Sequence, residues 1–185
     1  MKPEDALGPE VIVDTMLGLD PLSELPRTGW ILRGVAGPES IAAHVFGVSV
    51  IAMLLVDALR DAGETIDGER VLRMALLHDA AEAKTGDVPL PMKTVAVREA
   101  LAALEQEAIT ALLPGRYVSL HRECEERRSL EARVVKAADR IQLLIKLLAY
   151  SEQRRGDLRD FWERAPDLGD ESIEPARRVM DEILR

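Results

Sequence analysis

The sequence predicts an all-α fold, a single bundle of six or more helices, on three observations. Apolar residues recur at spacings of three and four along most of the chain. No segment sustains the period-two alternation of a half-buried strand. Aromatic residues are only 3% of the 185, and alanine, leucine and valine take their place, which suits close-packed helices better than a β-sandwich.

Residues 8–19 read as a short amphipathic helix with Val11, Met16 and Leu19 among its apolar members. A loop over 20–37 follows, broken by Pro21, Pro26, Gly29, Gly34 and Gly37, and carries Arg27, Trp30 and Arg33. Pro38 suits the first turn of the next helix, where its missing N–H costs nothing. That helix runs to about residue 59, with Ile41, Val48, Ile51 and Leu55 on one stripe and His44 on the same stripe. Asp61-Ala62-Gly63 closes it. Another helix starts near 67, with Asp67 or Gly68 as its cap, and continues to Gly86. Val71, Ala75, His78 and Glu82 line one of its faces. Val88-Pro89-Leu90-Pro91 cannot be helical throughout. Long helices follow over 95–113 and 130–153, with a shorter piece over 116–127 between them, and a last helix covers 175–184.

The length fits one domain with a full core. No internal repeat, low-complexity tract or interdomain linker is visible, so residues 1–185 read as one unit, with a core over about 38–150 and a helical extension over about 157–185. The net charge of -9 argues against a partner that is a nucleic-acid polymer. It also requires local cations or a metal for any phosphate-bearing ligand. A single cysteine, Cys124, excludes an intrachain disulfide and a cysteine-based zinc site. The N-terminus lacks a basic stretch followed by an apolar one, and the longest nearly apolar run, 45–56, is shorter than the roughly 20 residues of a membrane span. The expectation is a cytoplasmic protein with no membrane partner.

Taken alone, His44 reads as a core histidine with a hydrogen-bond partner, and Asp139 as a carboxylate paired with Lys136 or Arg140. Together the residues read differently. His44, then His78 with Asp79, then Asp139 stand amid apolar neighbours on three separate helical segments. Helix packing can bring all three to one point. Two buried carboxylates would cost several kcal/mol each unless paired or neutralised, and a divalent ion removes that penalty. The mixed nitrogen and oxygen set suits one ion of Mn, Co, Fe, Zn or Mg without selecting among them.

The pattern His44…His78-Asp79…Asp139 resembles the H…HD…D signature of the HD-domain phosphohydrolases, an all-helical superfamily. The resemblance is closer to its 5'-deoxynucleotidase branch. It is carried by Arg27-Thr28-Gly29-Trp30, by Pro38-Glu39-Ser40 through His44, by the string from Ala75 to Pro89, and by Glu131-Ala132, Val135-Lys136, Ala138-Asp139 and Gln142. The string from His78 to Pro89 is specific because its spacing is fixed over many positions.

The resemblance implies that His44, His78, Asp79 and Asp139 ligate the metal. It implies that Glu82 and Asp87 form an acid-base pair and that Arg27 and Trp30 contribute to the nucleotide pocket. Glu82 also follows from spacing, lying one helical turn beyond His78 on the same face; otherwise it is a solvated helix-end carboxylate. Asp87 after Gly86 reads alternatively as a turn residue. Thr85 reads as a local hydrogen-bonding residue or a phosphate contact. Lys93 and Arg33 are candidate phosphate cations. Trp30 packs on a base or plugs the core.

Cys124 departs from the pattern, standing where relatives often carry an aromatic residue. His121 reads as a surface histidine and Trp162 as a packing residue. The expected substrate is a (deoxy)nucleoside 5'-monophosphate, and the resemblance implies a homodimer. Alternatives are another HD phosphohydrolase, a phosphodiesterase or alarmone hydrolase, and a non-catalytic nucleotide-binding module. No Glu-Asp pair of the alarmone kind stands on a separate segment. The presence of both Glu82 and Asp87 argues against a mere binder.

Overall fold

A computed structural model describes residues 7–168 and 172–185. Among them there is no strand, and the only bridge of that kind joins Pro26 to Ser40. The helices are α1 (Pro9–Leu19), α2 (Thr28–Ile31), α3 (Ile41–Asp61), α4 (Gly68–Leu77), α5 (Glu82–Thr85), α6 (Val95–Leu112), α7 (Gly115–Glu126), α8 (Leu130–Glu152), α9 (Arg159–Arg164) and α10 (Glu174–Ile183). The all-α expectation holds, and the long helices stand where the periodicity places them.

Helix α3 forms the axis of the core with α8. The two run in opposite directions: Glu39, just before α3, meets Lys146 and Tyr150, whereas Gly47 lies against Gln142. A Cβ on Gly47 would come within 3.0 Å of Gln142 Cγ, so the glycine sets how closely the helices approach. Val48, Ala52 and Leu55 of α3, Val71 and Met74 of α4, and Val134, Ala138 and Ile141 of α8 are buried in one cluster. By length and composition α3 could cross a membrane, and the expectation drawn from the 45–56 run is corrected on this point. Its apolar inner face is the core surface that meets α4 and α8.

Four other local expectations change. Pro38 lies outside α3, because Ser40 takes the cap and its Oγ accepts from the Ala43 N–H at 3.2 Å. The backbone before it stays extended, and Leu25 O accepts from the Ile41 N–H at 2.9 Å. The helix expected over 67–86 is interrupted. After α4 the chain makes i→i+3 turns, with Ala80 N–H to Leu77 O at 3.0 Å and Glu82 N–H to Asp79 O at 3.0 Å. The Ala75 carbonyl is taken by the His78 ring, Nδ1 at 2.7 Å. Gly86, at φ 71°, then turns the chain away. Lastly, α1 has no buried residue, and Ile12, Val13, Met16 and Leu17 are exposed. Its attachment is at its end, where Gly18 lies close against Leu112 of α6. The loop expected over 20–37 contains α2 and a 3₁₀ turn, Asp20–Ser23.

Candidate metal centre

The four expected ligands converge where α3, the turn after α4, and α8 meet. His44 Nε2 lies 3.3 Å from Asp139 Oδ1 and 3.5 Å from Asp79 Oδ2. His78 Nε2 lies 3.3 Å from the same Asp79 oxygen. One ligand atom from each of His44, His78 and Asp139 lies within 4.8 Å of the others, a spacing that can hold a metal ion.

Both imidazoles are turned by their far nitrogens. Nδ1 of His78 faces only the Ala75 carbonyl, so it donates, and in the neutral ring Nε2 is the lone pair. His44 Nδ1 meets Gln142 Oε1 at 2.6 Å. The orientation of Gln142 is forced, because its Nε2 donates to Glu39 Oε2 at 2.9 Å and a carboxylate only accepts. His44 Nδ1 therefore carries the hydrogen and its Nε2 lone pair faces the centre. His44 Nε2, His78 Nε2 and Glu82 Oε2 are buried without any hydrogen-bond partner. Buried polar atoms are rarely left this way, and the two imidazoles converge with Asp139 within one small space, so the residues fit a divalent cation.

The electrostatics agree. Burial opposes ionisation of Asp79, but His78 and Arg27 outweigh it and hold the carboxyl below its usual range. Burial likewise opposes ionisation of Asp139, and Lys136, whose Nζ sits 2.5 Å from Oδ2, holds it well below. Burial of the His78 ring works against charge, yet the Asp79 and Asp139 carboxylates raise it to about 9. Glu82 is pushed up to about 9 by burial and by the charge of Asp79, against the pull of Arg27.

Arg27 lies among three of the acids, its Nη1 3.3 Å from Asp79 Oδ2 and 4.0 Å from both Glu82 Oε2 and Asp87 Oδ1. Asp87 also accepts the Thr28 N–H at 2.6 Å, which fixes the turn carrying Arg27. Glu82 and Asp87 thus flank one guanidinium beside the metal cluster. Thr85 hydrogen-bonds locally, to Ala81 O and Gly86 O.

Two cavities open onto Asp79, Glu82 and Asp139. One, about 400 Å³, is walled by Trp30, Pro89, Pro91, Leu143 and Phe161 and includes Arg27 and Arg33. The other, about 300 Å³, is walled by Arg98, Glu105, His121, Cys124 and Glu125. Lys93 and Lys136 border both. Trp30 is 1% exposed, packed against Phe161 at 4.6 Å and edge-on to Tyr150 at 5.2 Å, so it builds the wall rather than offering a free face.

His121 is not a surface residue. It is buried, its Nε2 is 3.2 Å from His78 O, and burial lowers its pKa. The reading missed it because α7 places the ring under the turn after α4, a contact between segments 43 positions apart. Cys124 is buried beside it, and burial pushes its thiol up to about 12. Phe161 carried no sequence signal, since α9 is too short for a periodic pattern. Glu39 stands one residue before a helix cap, an ordinary place for an acid, and its partners Trp30 and Gln142 are brought to it only by the fold. Trp162 fits its packing role, donating from Nε1 to Ser151 Oγ at 2.9 Å.

Known proteins are similar to the chain over most of its length. The chain is similar to a 5'-deoxynucleotidase of Xenopus laevis, 36% identical over 76% of this chain and 71% of that protein. It is similar to a human 5'-deoxynucleotidase, 34% identical over 77% of this chain and 70% of that one. A solved structure of a Pyrococcus horikoshii OT3 protein superposes with a TM-score of 0.82 at 32% identity, covering 94% of this chain and 98% of that chain. The HD domain profile matches residues 19–172, which includes every residue of the metal cluster, and the chain belongs to the HD-domain family.

Proposed function

We propose that the protein is a metal-dependent 5'-nucleotidase that releases phosphate from (deoxy)nucleoside 5'-monophosphates. The observation that carries this is the set of buried, unpartnered ligand atoms facing one another beside a guanidinium and at the mouth of two cavities. The relatives named 5'-deoxynucleotidases support the substrate class.

His44, His78, Asp79 and Asp139 would hold the ion. When bound, a divalent ion supplies Lewis acidity toward phosphate oxygens and toward water. The chain's own groups do the rest. Arg27, with Lys93 and Lys136 at the border of the cavities, offsets phosphate charge in a protein of net charge -9. Glu82, with a free oxygen buried beside Arg27, moves a proton between water and the leaving 5'-oxygen. Asp87 holds the Arg27 turn with Oδ2 and presents Oδ1 to the same space as the second acid-base group. The larger cavity, with its apolar walls, takes the nucleoside. Thr85, turned to backbone carbonyls, contributes to substrate binding through the shape of the loop.

We also propose that the protein is cytoplasmic, with nucleoside monophosphates as its partners and no nucleic-acid polymer, and that it is a homodimer. Exposed Phe46, Met53 and Leu54 on the outer side of α3 are apolar surface that a second copy would cover. Light scattering on the purified protein reads that mass directly.

The test of function is phosphate release from ribo- and deoxyribonucleoside 5'-monophosphates with Mn, Co and Mg supplied separately. Release from 5'-monophosphates that stops on chelation is expected. No release from any of them, with bound metal confirmed, contradicts the proposal and favours a diesterase or a binding module.

A further inference from the structure

Glu39 is a buried carboxylate whose side chain is 4% exposed, yet it touches none of the expected ligands. Burying such a charge costs several kcal/mol unless it is paired and hydrogen-bonded. Here it is fully engaged. Oε1 accepts from Trp30 Nε1 at 3.1 Å, and Oε2 accepts from Gln142 Nε2 at 2.9 Å, with Lys146 Nζ 3.3 Å away. Its backbone is engaged as well. The N–H donates to Tyr150 Oη at 2.8 Å, and the carbonyl accepts the Arg27 N–H at 3.0 Å.

The contacts lead in two directions. Through Gln142 they reach His44: the carboxylate can only accept, so Gln142 must turn its amide nitrogen to Glu39 and its oxygen to His44 Nδ1. Gly47 makes room for the Gln142 side chain, since a Cβ there would come within 3.0 Å of Gln142 Cγ. Through Trp30 and the Arg27 N–H they reach the turn that carries the guanidinium.

We propose that Glu39 is a positioning residue that, through Gln142, holds His44 in the tautomer offering Nε2 to the ion, and with the same carboxylate holds Trp30 and the Arg27 turn at the substrate cavity. The proposal rests on the metal-centre reading above and extends it outward from the ligands. A neutral amide at position 39 cannot serve all its partners. An amide nitrogen facing Gln142 opposes donor to donor, and one facing Trp30 does the same. Either Gln142 flips, which moves the His44 hydrogen to Nε2, or Trp30 loses its acceptor.

The test uses the full chain and Mn(II) as the probe. Affinity is read by calorimetry, the His44 tautomer by imidazole nitrogen NMR on metal-free protein, and KM and kcat at saturating Mn(II). Glu39→Gln is expected to weaken Mn(II) binding about tenfold or more, the scale for lost outer-sphere partners of a metal-binding histidine, and to raise KM. Gln142→Met, similar in volume, should weaken Mn(II) binding and disturb the Nδ1–H signature with little change in KM. Trp30→Phe should do the reverse, raising KM at near wild-type Mn(II) affinity.

Wild-type Mn(II) affinity and an unchanged Nδ1–H signature in Gln142→Met would overturn the proposal, even if Glu39→Gln does not fold. So would a loss of Mn(II) affinity in Trp30→Phe as large as that in Gln142→Met, because the two branches would then not be separate. The affinity and NMR readouts need no substrate, so they stand apart from a failure of the nucleotidase reading.

Discussion

The two cavities that meet at Asp79 and Asp139 are built from opposite materials. The wall formed by α2, α9 and the Val88–Pro91 stretch is apolar, with guanidinium groups at its edge. The wall formed by α6 and α7 holds His121, Glu105 and Glu125, and burial with the charge of Glu125 raises Glu105 above its usual carboxylate range. The floor is common to both. On the proposed function, chemistry belongs to the floor and selection to the walls, and substitutions in the three places should separate cleanly.

The largest effect belongs to the floor. Asp79→Ala removes a carboxylate that faces both imidazoles, and it should abolish metal retention and phosphate release. It should also erase the rise in Tm that the wild type shows on adding Mn(II), since that rise is a binding linkage. A variant with stoichiometric metal and full activity would show that Asp79 is no ligand. Next in size is Glu82→Ala, expected to cut kcat by about 100-fold or more while metal content stays near wild type, the scale of a lost general acid or base. Unchanged kcat would leave the fold and the metal centre standing and remove Glu82 from the mechanism.

A pH titration sharpens the description of the floor. Without an ion, burial and the neighbouring charge of Asp79 push Glu82 up to about 9, and the carboxylates raise His78 to about 9 against its burial. Both are protonated at neutral pH in that state, and both must lose the proton to face a cation. Mn(II) binding should release protons, and its affinity should climb by about tenfold per pH unit for each proton displaced, levelling off near pH 9. Calorimetry in buffers of different ionisation enthalpy measures the release. Affinity independent of pH between 6 and 8 would contradict these protonation states.

The walls give smaller effects. Arg27→Ala should raise KM about tenfold, because its guanidinium is proposed to hold phosphate in ground and transition states alike. Phe161→Ala should raise KM several-fold with Mn(II) affinity unchanged. Cys124→Phe, which fills the other cavity, should alter KM by no more than about twofold. The reverse order, a large KM change from Cys124→Phe and none from Phe161→Ala, would place the nucleoside against α6 and α7 instead.

Legibility in the sequence follows the same division. His44 and Asp139 ride on long helices whose apolar period is plain, so the face they share with the core could be read directly. The all-α class came from the same periodicity. The break after Leu77 is hidden in the sequence, because Val71, Ala75, His78 and Glu82 also satisfy an unbroken helix; it shows in the i→i+3 bonds that follow and in the Ala75 carbonyl's capture by His78. Contacts made across the fold left no local mark: His121 beneath His78, Phe161 against Trp30, and Glu39 with Gln142. The exposed apolar residues of α1 show the converse error, since an amphipathic pattern does not say whether a partner surface is present in the same chain.

The most direct measurement of the central claim is anomalous diffraction from crystals grown with Mn(II). The account predicts one strong peak within about 2.0–2.4 Å of His44 Nε2, His78 Nε2 and oxygens of Asp79 and Asp139. A peak elsewhere, or none at saturating Mn(II) with Asp139 still turned to Lys136, would contradict it.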